Sequence, residues 1–401
     1  MKAGWEVFRI SDIANVTSGN SINAKTKRDE YSGLSEGTPY IATKDVGFDH
    51  SIDYDNGVLI PEKNLKSFRV IDRDSVLICA EGGSAGRKVA YLERKAVVVN
   101  KLFAVSSKKN VHSKFCFYFF LSRGFQEQFE NAKTGLIGGV SKRKFVDFTI
   151  PLPPLEEQKR IVAVLDAAFE GLDRARAHVE ANLRNARDLF EGYLAKLFTE
   201  QGDNWDFRKL TTLCDRITVG FVGPMAHRYE ETGVPFLRSQ NIRPFQIQLD
   251  NVKFIGDEFN EEIRKSKLNP GDVAIVRTGY PGTAAVIPDT LPISNCADLV
   301  IATTNEELSP HFLTMFLNSD FGKRLVASKS VGAAQKHFNV GAAKAVDFPT
   351  PPILEQKRLV QAASDRRKDC LVLERNYQSK LTDLDDLRQS LLQKAFAGEL
   401  T

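Results

Sequence analysis

The chain has 401 residues, which is too many for one ordinary hydrophobic core and predicts two domains. Hydrophobic residues make up 42% and charged residues 26% of the sequence, which excludes a disordered chain, and the net charge of +4 excludes a uniformly basic, histone-like protein. The five cysteines form no Cys-x-x-Cys pair, and neither a signal peptide nor a membrane span is recognisable. We therefore expect a cytoplasmic protein without a disulfide framework.

The first 150 residues predict a mixed α/β module. Short β-branched runs bounded by Gly, Pro, Asp or Asn indicate strands at 76–78 and 97–99, and an aromatic-rich stretch at 115–129 indicates a helix. Long polar or Gly-rich stretches at 17–30 and 134–144 predict loops of the kind that carry function. A segment without proline then follows from Glu156 to Phe198, and it predicts one long helix.

The second half of the chain repeats the first at a distance close to 200 residues. PPLEEQKRIV at 153–162 returns as PPILEQKRLV at 351–360, with seven of ten positions identical at a shift of 198 residues. Weaker matches precede each copy in the same order, among them Asp74–Ile78 with Asp272–Val276, and Trp5 with Trp205. Strands at 273–276 and 299–301 and a helix at 312–325 fit this repeat, which predicts two copies of one module, each followed by one long helix.

Both long segments carry a heptad seam of apolar residues. From Ile161 the seam runs through Leu165 and Leu172 to Tyr193, with Asn182 as its polar position, and the second seam begins at Leu359. Neither helix buries its seam alone, so we expect the two to pair as an antiparallel coiled coil. A further set of apolar residues falls off the first seam and predicts a second buried face: Phe169, Phe190, Leu194 and Phe198.

This organisation resembles the DNA-specificity subunit of type I restriction–modification systems. The resemblance covers the whole chain and rests chiefly on the two Pro-Pro-x-x-Glu-Gln-Lys-Arg boxes and on Phe236–Ile242. The first module has Tyr40–Val46 at the matching place, without the arginine and asparagine. The fold class that follows is α+β (mixed α/β), with two tandem globular target-recognition domains separated by a pair of long helices and related by an internal pseudo-two-fold repeat.

The resemblance also implies domain boundaries and partners. The target-recognition domains are expected at 1–150 and 201–348, and the spacer helices at 151–200 and 349–401. Each domain is expected to read one half of a split, asymmetric site in double-stranded DNA. Two methylation subunits are expected to dock on the helices, where the apolar residues off the seam offer a surface, and restriction motor–nuclease subunits to join for cleavage.

The residues themselves predict no catalytic centre. No Asn/Asp/Ser-Pro-Pro-aromatic loop of an amino-methyltransferase is present, because an aliphatic residue follows each Pro-Pro pair. Asp74, Glu93 and Lys95 are weak candidates for a nuclease magnesium site. We therefore expect a non-catalytic chain without cofactor or metal. The resemblance implies that S-adenosylmethionine, ATP and Mg²⁺ bind to the partner subunits, and that the assembled complex is an adenine-N6 methyltransferase and ATP-dependent endonuclease. Two alternatives stay open: a duplicated coiled-coil adaptor that binds only protein, and the recognition part of a self-sufficient methylating nuclease.

Contacts to DNA require Lys and Arg for phosphates and Arg, Lys, Asn or Gln for base edges. Such residues cluster on the predicted loops of both modules. The candidates in the first module are Lys25, Lys27, Arg28, Lys44, Arg87, Lys88, Lys142, Arg143 and Lys144. The candidates in the second module are Arg216, His227, Arg228, Tyr229, Arg238, Gln240, Asn241, Arg277, Tyr280, Gln335, Lys336 and His337.

Overall fold

The structure is a computed structural model, and it describes residues 2, 4–135, 138–200, 205–329 and 337–400. The chain divides into two compact units. The first unit comprises residues 1–179 together with 379–401, and the second unit comprises residues 180–378. Two long helices contribute to both units, because each of them crosses a division point. The four predicted domain boundaries remain a prediction.

Within its described part, the first unit contains ten strands and five short helices before the first long helix. The strands are β1 (Glu6–Arg9), β2 (Ala14–Ser18), β3 (Thr38–Ile41), β4 (Leu59–Ile60), β5 (Val70–Ile71), β6 (Ser75–Cys79), β7 (Val89–Leu92), β8 (Ala96–Val98), β9 (Leu102–Ser107) and β10 (Thr149–Leu152). The helices are α1 (Ile10–Ile13), α2 (Ala24–Thr26), α3 (Ser113–Leu121), α4 (Arg123–Ala132), α5 (Lys142–Phe145) and the long α6 (Leu155–Thr199).

The described part of the second unit repeats this order with one added hairpin. Its strands are β11 (Asp206–Lys209), β12 (Cys214–Val219), β13 (Val234–Leu237), β14 (Ile242–Arg243), β15 (Gln246–Ile247), β16 (Lys253–Ile255), β17 (Lys267–Leu268), β18 (Val273–Val276), β19 (Ala284–Val286), β20 (Ser294–Cys296), β21 (Leu299–Thr304) and β22 (Asp347–Thr350). Its helices are α7 (Asp257–Glu262), α8 (Pro310–Asn318), α9 (Asp320–Lys329), α10 (Val340–Lys344) and the long α11 (Ile353–Ala397).

The two units have the same sheet topology. An antiparallel sheet has the order β2-β9-β6-β7 in the first unit and β12-β21-β18-β19 in the second. A smaller mixed sheet has the order β4-β3-β8-β5 and, correspondingly, β16-β13-β20-β17. The central strands β6 and β18 are buried on both faces, which explains why their sequences are continuous apolar runs rather than alternating ones. The predicted mixed α+β class with two duplicated sheet-rich domains and a long helix between them in sequence is therefore confirmed.

A two-stranded ribbon closes each module where its long helix begins. β1 pairs antiparallel with β10, and β11 pairs antiparallel with β22, so the first strand of the module is tied to the last. The indole Nε1 of Trp5 donates to Glu157 at 3.3 Å, and Trp205 donates to Glu355 at the same distance. The repeated tryptophans therefore hold the first turns of α6 and α11.

The repeated glutamine of the Pro-Pro box is also an internal structural residue. Gln158 is 1% exposed and accepts the backbone N–H of His112 at 2.8 Å, while its amide donates to the carbonyl of Pro153 at 2.8 Å. Gln356 accepts the N–H of Ser309 and donates to the carbonyls of Glu307 and Pro351. Each glutamine thus joins the start of a long helix to the residue that precedes α3 or α8.

The long helices run antiparallel where they meet inside each unit. In the first unit Asp173 pairs with Arg388 and Arg176 with Asp385, so positions rise along α6 as they fall along α11. In the second unit Arg187 of α6 pairs with Glu374 of α11 at 3.3 Å. The predicted seam drifts from this geometry, because Leu189 is 50% exposed while Leu183 and Ala186 are buried. A straight α-helix of 3.6 residues per turn does not keep a strict seven-residue repeat.

The expectation that apolar residues off the seam form a free docking face is wrong for three of them. Phe169, Leu194 and Phe198 are 7%, 2% and 1% exposed, and each is part of the core of its own unit. The Phe198 ring packs against Phe312 and Phe316 of α8. These side chains therefore join the long helices to the modules, which the periodicity of a single helix does not reveal.

Candidate nucleic-acid interface

In the first unit, Arg87 and Lys88 lie against the exposed ring of Phe48, and Lys88 also reaches the turn that carries Lys44. The Arg87 guanidinium lies 5.4 Å and the Lys88 ammonium 5.0 Å from the ring centroid, and Phe48 is 59% exposed. Lys88 also donates to the carbonyl of Thr43 at 3.1 Å. The pKa of Lys44 is raised, first because its ammonium donates a hydrogen bond to Asp45. We call these four residues the Phe48 patch. The sequence reasoning missed Phe48, which nothing in its neighbourhood distinguishes from a core residue.

A second group of predicted cations lies on and after α2. Lys25 and Arg28 are exposed, and Arg28 pairs with Asp29 at 3.1 Å. The Lys27 ammonium lies 5.1 Å from the ring centroid of Tyr40, which is buried on β3. Burial raises the pKa of the Tyr40 hydroxyl, which donates to the carbonyl of Asn20. Lys27 therefore packs its chain on the module, while Lys25 and Arg28 extend into solvent.

The predicted run Lys142-Arg143-Lys144 opens helix α5. Its hydroxyl cap Ser141 accepts the N–H of Lys144, and all three cationic side chains are exposed. Lys142 also lines a cavity of about 600 Å³ together with Ser18, Thr134 and Lys101. Lys101 pairs with Glu81 at 2.9 Å on the same side. The cations here are presented on a capped helical turn rather than on an irregular loop.

In the second unit, cations gather around two aromatic rings. The guanidinium of Arg238 and the ammonium of Lys253 each lie 5.8 Å from the ring centroid of Tyr229, and Arg228 lies 4.6 Å from that of Phe259. His227 is exposed beside them. We call this group the Tyr229 cluster. Lys253 was missed from the sequence, because it lies on strand β16 and not on a recognisable loop.

The stretch Phe236–Ile242 serves a structural purpose that the first unit shares. Asn241 has no exposed surface; its Oδ1 accepts the N–H of Arg238 at 3.0 Å and its amide donates to the carbonyl of Gln248 at 3.0 Å. In the first unit Asp45 accepts the N–H of Ala42 in the same way at 2.8 Å. Gln240 and Lys44, the residues just before, are both exposed. The turn thus presents one side chain outward in each unit and keeps the next one inside.

Two further predicted arginines are engaged within the second unit. Arg216 on β12 pairs with Asp272 at 2.7 Å and donates to Thr303 and to the carbonyl of Lys267, and Asp272 is 2% exposed. Arg277 pairs with Asp298 at 2.7 Å. Both guanidinium groups are half-buried, so their charges are compensated inside the unit in the free protein.

The turn after β18 presents the most exposed aromatic residue among the candidates. Tyr280 is 81% exposed and stands between Gly279 and the Pro281-Gly282 pair. Gly282 has a φ of +90°, and Gly86, at the same turn of the first unit, has a φ of +76°. A Cβ on Gly86 would lie 2.5 Å from the ring of Phe129, so glycine is required there by both backbone and space. His337 contacts the Thr278 hydroxyl at 2.9 Å, whereas the predicted Gln335 and Lys336 lie outside the described residues.

Metal clusters, reactive thiols or membrane helices among the described residues would indicate other functions. They contain no group of three or more His, Cys, Asp or Glu side chains placed to share a metal ion. The five cysteines are free, and burial raises the pKa of Cys116 to about 11 and that of Cys214 to about 12, so both thiols stay protonated near neutral pH. None of the helices in the described ranges combines the length and the apolar character that a membrane crossing requires.

Comparison with known proteins shows that the chain is similar to restriction specificity proteins. Residues 2–179 match the type I restriction modification DNA specificity domain. The chain is 23% identical to the type I restriction enzyme EcoBI specificity subunit of Escherichia coli, over 99% of this chain and 86% of that protein. It is 22% identical to the EcoKI specificity subunit of Escherichia coli K12, over 99% of this chain and 89% of that protein.

Two solved structures share the fold over the whole chain. One belongs to work on complex assembly and conformational transition of the type I R-M system; it covers 100% of this chain and 99% of that chain, with a TM-score of 0.81 at 19% identity. The other is the HsdS subunit from Thermoanaerobacter tengcongensis, which covers 100% of this chain and 98% of that chain, with a TM-score of 0.58 at 20% identity. At these identities the likeness establishes the fold alone.

Proposed function

We propose that this chain is a type I restriction–modification specificity subunit and that it reads a two-part DNA site, with one half assigned to each unit. The match of residues 2–179 to the type I restriction modification DNA specificity domain and the similarity to curated specificity subunits support a role in DNA sequence specificity. The observation that carries the finer assignment is the duplication: the same strand order occurs twice, and each copy has cations grouped around aromatic rings. Two recognition modules of one fold and different surface residues fit an asymmetric, split target.

The two aromatic groups are the proposed contact surfaces. In the Phe48 patch, Arg87 and Lys88 carry the charge that phosphates require, and in the Tyr229 cluster Arg228, Arg238 and Lys253 do so. Exposed Gln240 and Tyr280 are proposed to reach base edges or the sugar–phosphate backbone. Asn241 and Arg216 are proposed to shape the surface from inside, because the first has no exposed surface and the second is held by a buried carboxylate.

The partner assignments are part of the same proposal. Two methylation subunits and the restriction subunits are proposed to assemble on this chain, with S-adenosylmethionine, ATP and Mg²⁺ bound by those partners. The chain itself is proposed to be non-catalytic, since specificity subunits supply sequence recognition rather than bond chemistry. Its own residues would then contribute binding and orientation: they hold the target while a separate methyltransferase acts on it.

Salt dependence of DNA binding tests the proposal. The chain is purified with its methylation subunit, and its dissociation constant for a duplex carrying the methylated site is measured by anisotropy from 50 to 300 mM salt. Lys88→Ala and Lys253→Ala should each weaken binding and lower the salt slope by about one. Arg174→Gln, an exposed arginine of α6 that pairs with Glu170, is the matched control. A dissociation constant that does not change with salt concentration would favour the adaptor that binds only protein. A control variant that weakens DNA binding as much as the two lysine variants would favour it as well.

A further inference from the structure

The second unit contains a cavity at a place where the first unit has aromatic side chains in contact with one another. It measures about 620 Å³ and lies among helix α8, the first turns of α11 and the turn around Phe245. Phe190, Phe245, Met315 and Val286 form apolar walls, and Arg367 lines it from α11. This volume is within the usual range of ligand sites. None of the lining residues is among the predicted DNA contacts.

The register of the two sheets identifies the matching place in the first unit. The structure aligns β6 with β18 one residue away from the sequence match of Asp74–Ile78 with Asp272–Val276, because Gly86 bonds to Cys79 where Gly282 bonds to Val276. Tyr91 lies opposite Val76 in the first sheet, and Val286 lies opposite Val273 in the second. His50 and Phe245 both have positive φ values, of 70° and 66°. The His50 ring Nδ1 contacts the carbonyl of Val89, and the Phe245 backbone N–H donates to the carbonyl of Ala284. On the helices, Phe117 and Tyr118 of α3 correspond to Thr314 and Met315 of α8, and Asp166 and Phe169 of α6 to Ser364 and Arg367 of α11.

In the first unit, aromatic side chains contact one another at that place. The Tyr118 ring stands edge-on to Phe169 at 5.3 Å, and the Phe117 ring stands edge-on to Tyr91 at 6.0 Å. The Tyr118 hydroxyl donates to Asp166, which also pairs with Lys114 at 3.0 Å. The first unit therefore builds in an aromatic ring, a carboxylate and a cation that neutralises the carboxylate.

The second unit has neither the rings nor the carboxylate at these positions, and it has an arginine where the first unit has Phe169. Thr314 and Met315 replace two aromatic rings, and Ser364 replaces the carboxylate, while His311 stands where the first unit has Lys114. Arg367 lies 4.7 Å from the Phe245 ring and donates to the carbonyl of Pro244 at 3.2 Å. In the described part of the chain no carboxylate pairs with Arg367, although Asp289 also lines the cavity. A half-buried guanidinium without an ion pair favours an incoming anion.

We infer that this cavity binds a segment of a protein partner in which an aromatic side chain is adjacent to a carboxylate. The ring would occupy the space that Phe117 and Tyr118 fill in the first unit, and the carboxylate would meet Arg367. The apolar surface continues beyond the cavity to Leu371, one turn along α11 and 42% exposed, where the first unit has Asp173. A polypeptide can therefore cover more apolar surface here than a free aromatic acid can, and burying apolar surface favours binding. The inference goes beyond the proposed DNA function and does not depend on it.

The full chain and fluorescein-labelled peptides test this inference. The probe is an acetylated, amidated peptide with the core Gly-Glu-Phe-Gly, and its analogues replace Glu by Gln or Phe by Ala. We expect saturable binding of the probe and at least tenfold weaker binding of each analogue, because a charge-assisted hydrogen bond and a buried ring each contribute about tenfold or more. 3-Phenylpropionate, which offers the same chemistry as a free acid, should bind more weakly than the peptide.

Variants of the cavity locate the binding. Arg367→Gln should weaken the probe about tenfold and abolish the advantage of Glu over Gln in the peptide. The double variant Thr314→Phe, Met315→Tyr rebuilds the first unit's filling and should prevent binding, while Arg174→Gln should change nothing. DNA affinity should stay at the wild-type value in Arg367→Gln, which separates this inference from the proposed function. Failure of the probe to bind, equal binding by every variant, or phenylpropionate binding as tightly as the peptide would each overturn it.

Discussion

The first and second units share a frame and differ in what fills it. Both have the same strand order, the same tryptophan and glutamine at the start of the long helix, and a glycine of positive φ at the same turn. Against α3 the first unit packs aromatic rings and an ion pair, whereas against α8 the second unit leaves a cavity of about 620 Å³. Backbone topology and buried polar links are therefore common to both units, whereas the side chains packed against α3 and α8 differ.

The two long helices are joined by an ion pair in each unit, and the residue types of that pair differ between the units. Arg176 of α6 pairs with Asp385 of α11 in the first unit. The equivalent positions, 198 residues apart, are Glu374 for Arg176 and Arg187 for Asp385, and these two residues pair in the second unit. The acid and the base are therefore exchanged between equivalent positions, although α6 supplies the base and α11 the acid in both units. The interaction is thus present in both units although neither residue type is repeated. Matching sequence positions alone would show two unrelated substitutions.

The largest expected effect is on the shared frame. Gln158→Leu and Gln356→Leu should each lower the free energy of unfolding by about 2–4 kcal/mol, because each leaves a buried backbone N–H and one or more carbonyls without a partner. The two losses should be similar, since the bonds are the same. Urea titration measures both, and the exposed Glu156→Gln should change stability by less than about 0.5 kcal/mol. A harmless Gln356→Leu would break the claimed equivalence.

Exchanging the equivalent residues Tyr118 and Met315 should affect the free energy of unfolding much more in the first unit than in the second. Tyr118→Met should cost the first unit about 2–3 kcal/mol, because it removes a buried ring and the hydroxyl that bonds Asp166. Met315→Tyr should change the second unit by less than about 1 kcal/mol, because the cavity accepts the larger ring. Equal losses in the two urea titrations would mean that the cavity is not available space.

The exchanged ion pair predicts a smaller effect. Arg187→Glu should cost about 0.5–1 kcal/mol by placing two carboxylates together, and adding Glu374→Arg should recover most of that loss. The double variant would carry a base at 374 and an acid at 187, as the first unit does at the equivalent positions Arg176 and Asp385. A double-mutant cycle in low and high salt measures the coupling, which should fall as salt screens it. A double variant as unstable as the single one would show that the two side chains do not interact.

The smallest expected effect concerns acid. Burial is the main cause that lowers the pKa of His50 below its ordinary 6.5, whereas the matching residue of the second unit is Phe245, which does not titrate. Below about pH 6.5 the unfolded chain binds a proton that folded His50 resists, so the first unit should lose stability as pH falls. His50→Phe should reduce this loss between pH 7.5 and 5.5. Part of the loss of stability should remain in this variant, because burial also lowers the pKa of His112. An unchanged pH dependence would exclude His50 as a contributor.

The duplication and the mixed fold could be predicted because they depend on repeated local patterns. The motif that carried the family resemblance was found for the same reason, yet Gln158 and Gln356 in it are buried links between helix and module. A polar residue in a loop looks the same whether it faces DNA or, like Asn241, holds a turn from inside, so sequence could not separate the two. The cavity could not be predicted from the sequence, because it depends on small side chains of α8 and α11, which lie far apart in the chain.

The most direct test of the central claim is to sequence the methylated sites of cells that carry a chain with one exchanged module. Residues 1–150 are replaced by the first module of another family member, and the second unit is left unchanged. Because the two units are separate copies of one frame, one half of the methylated site should change while the other half stays as it was. A change in both halves, or in neither, would contradict the assignment of one half-site to each unit.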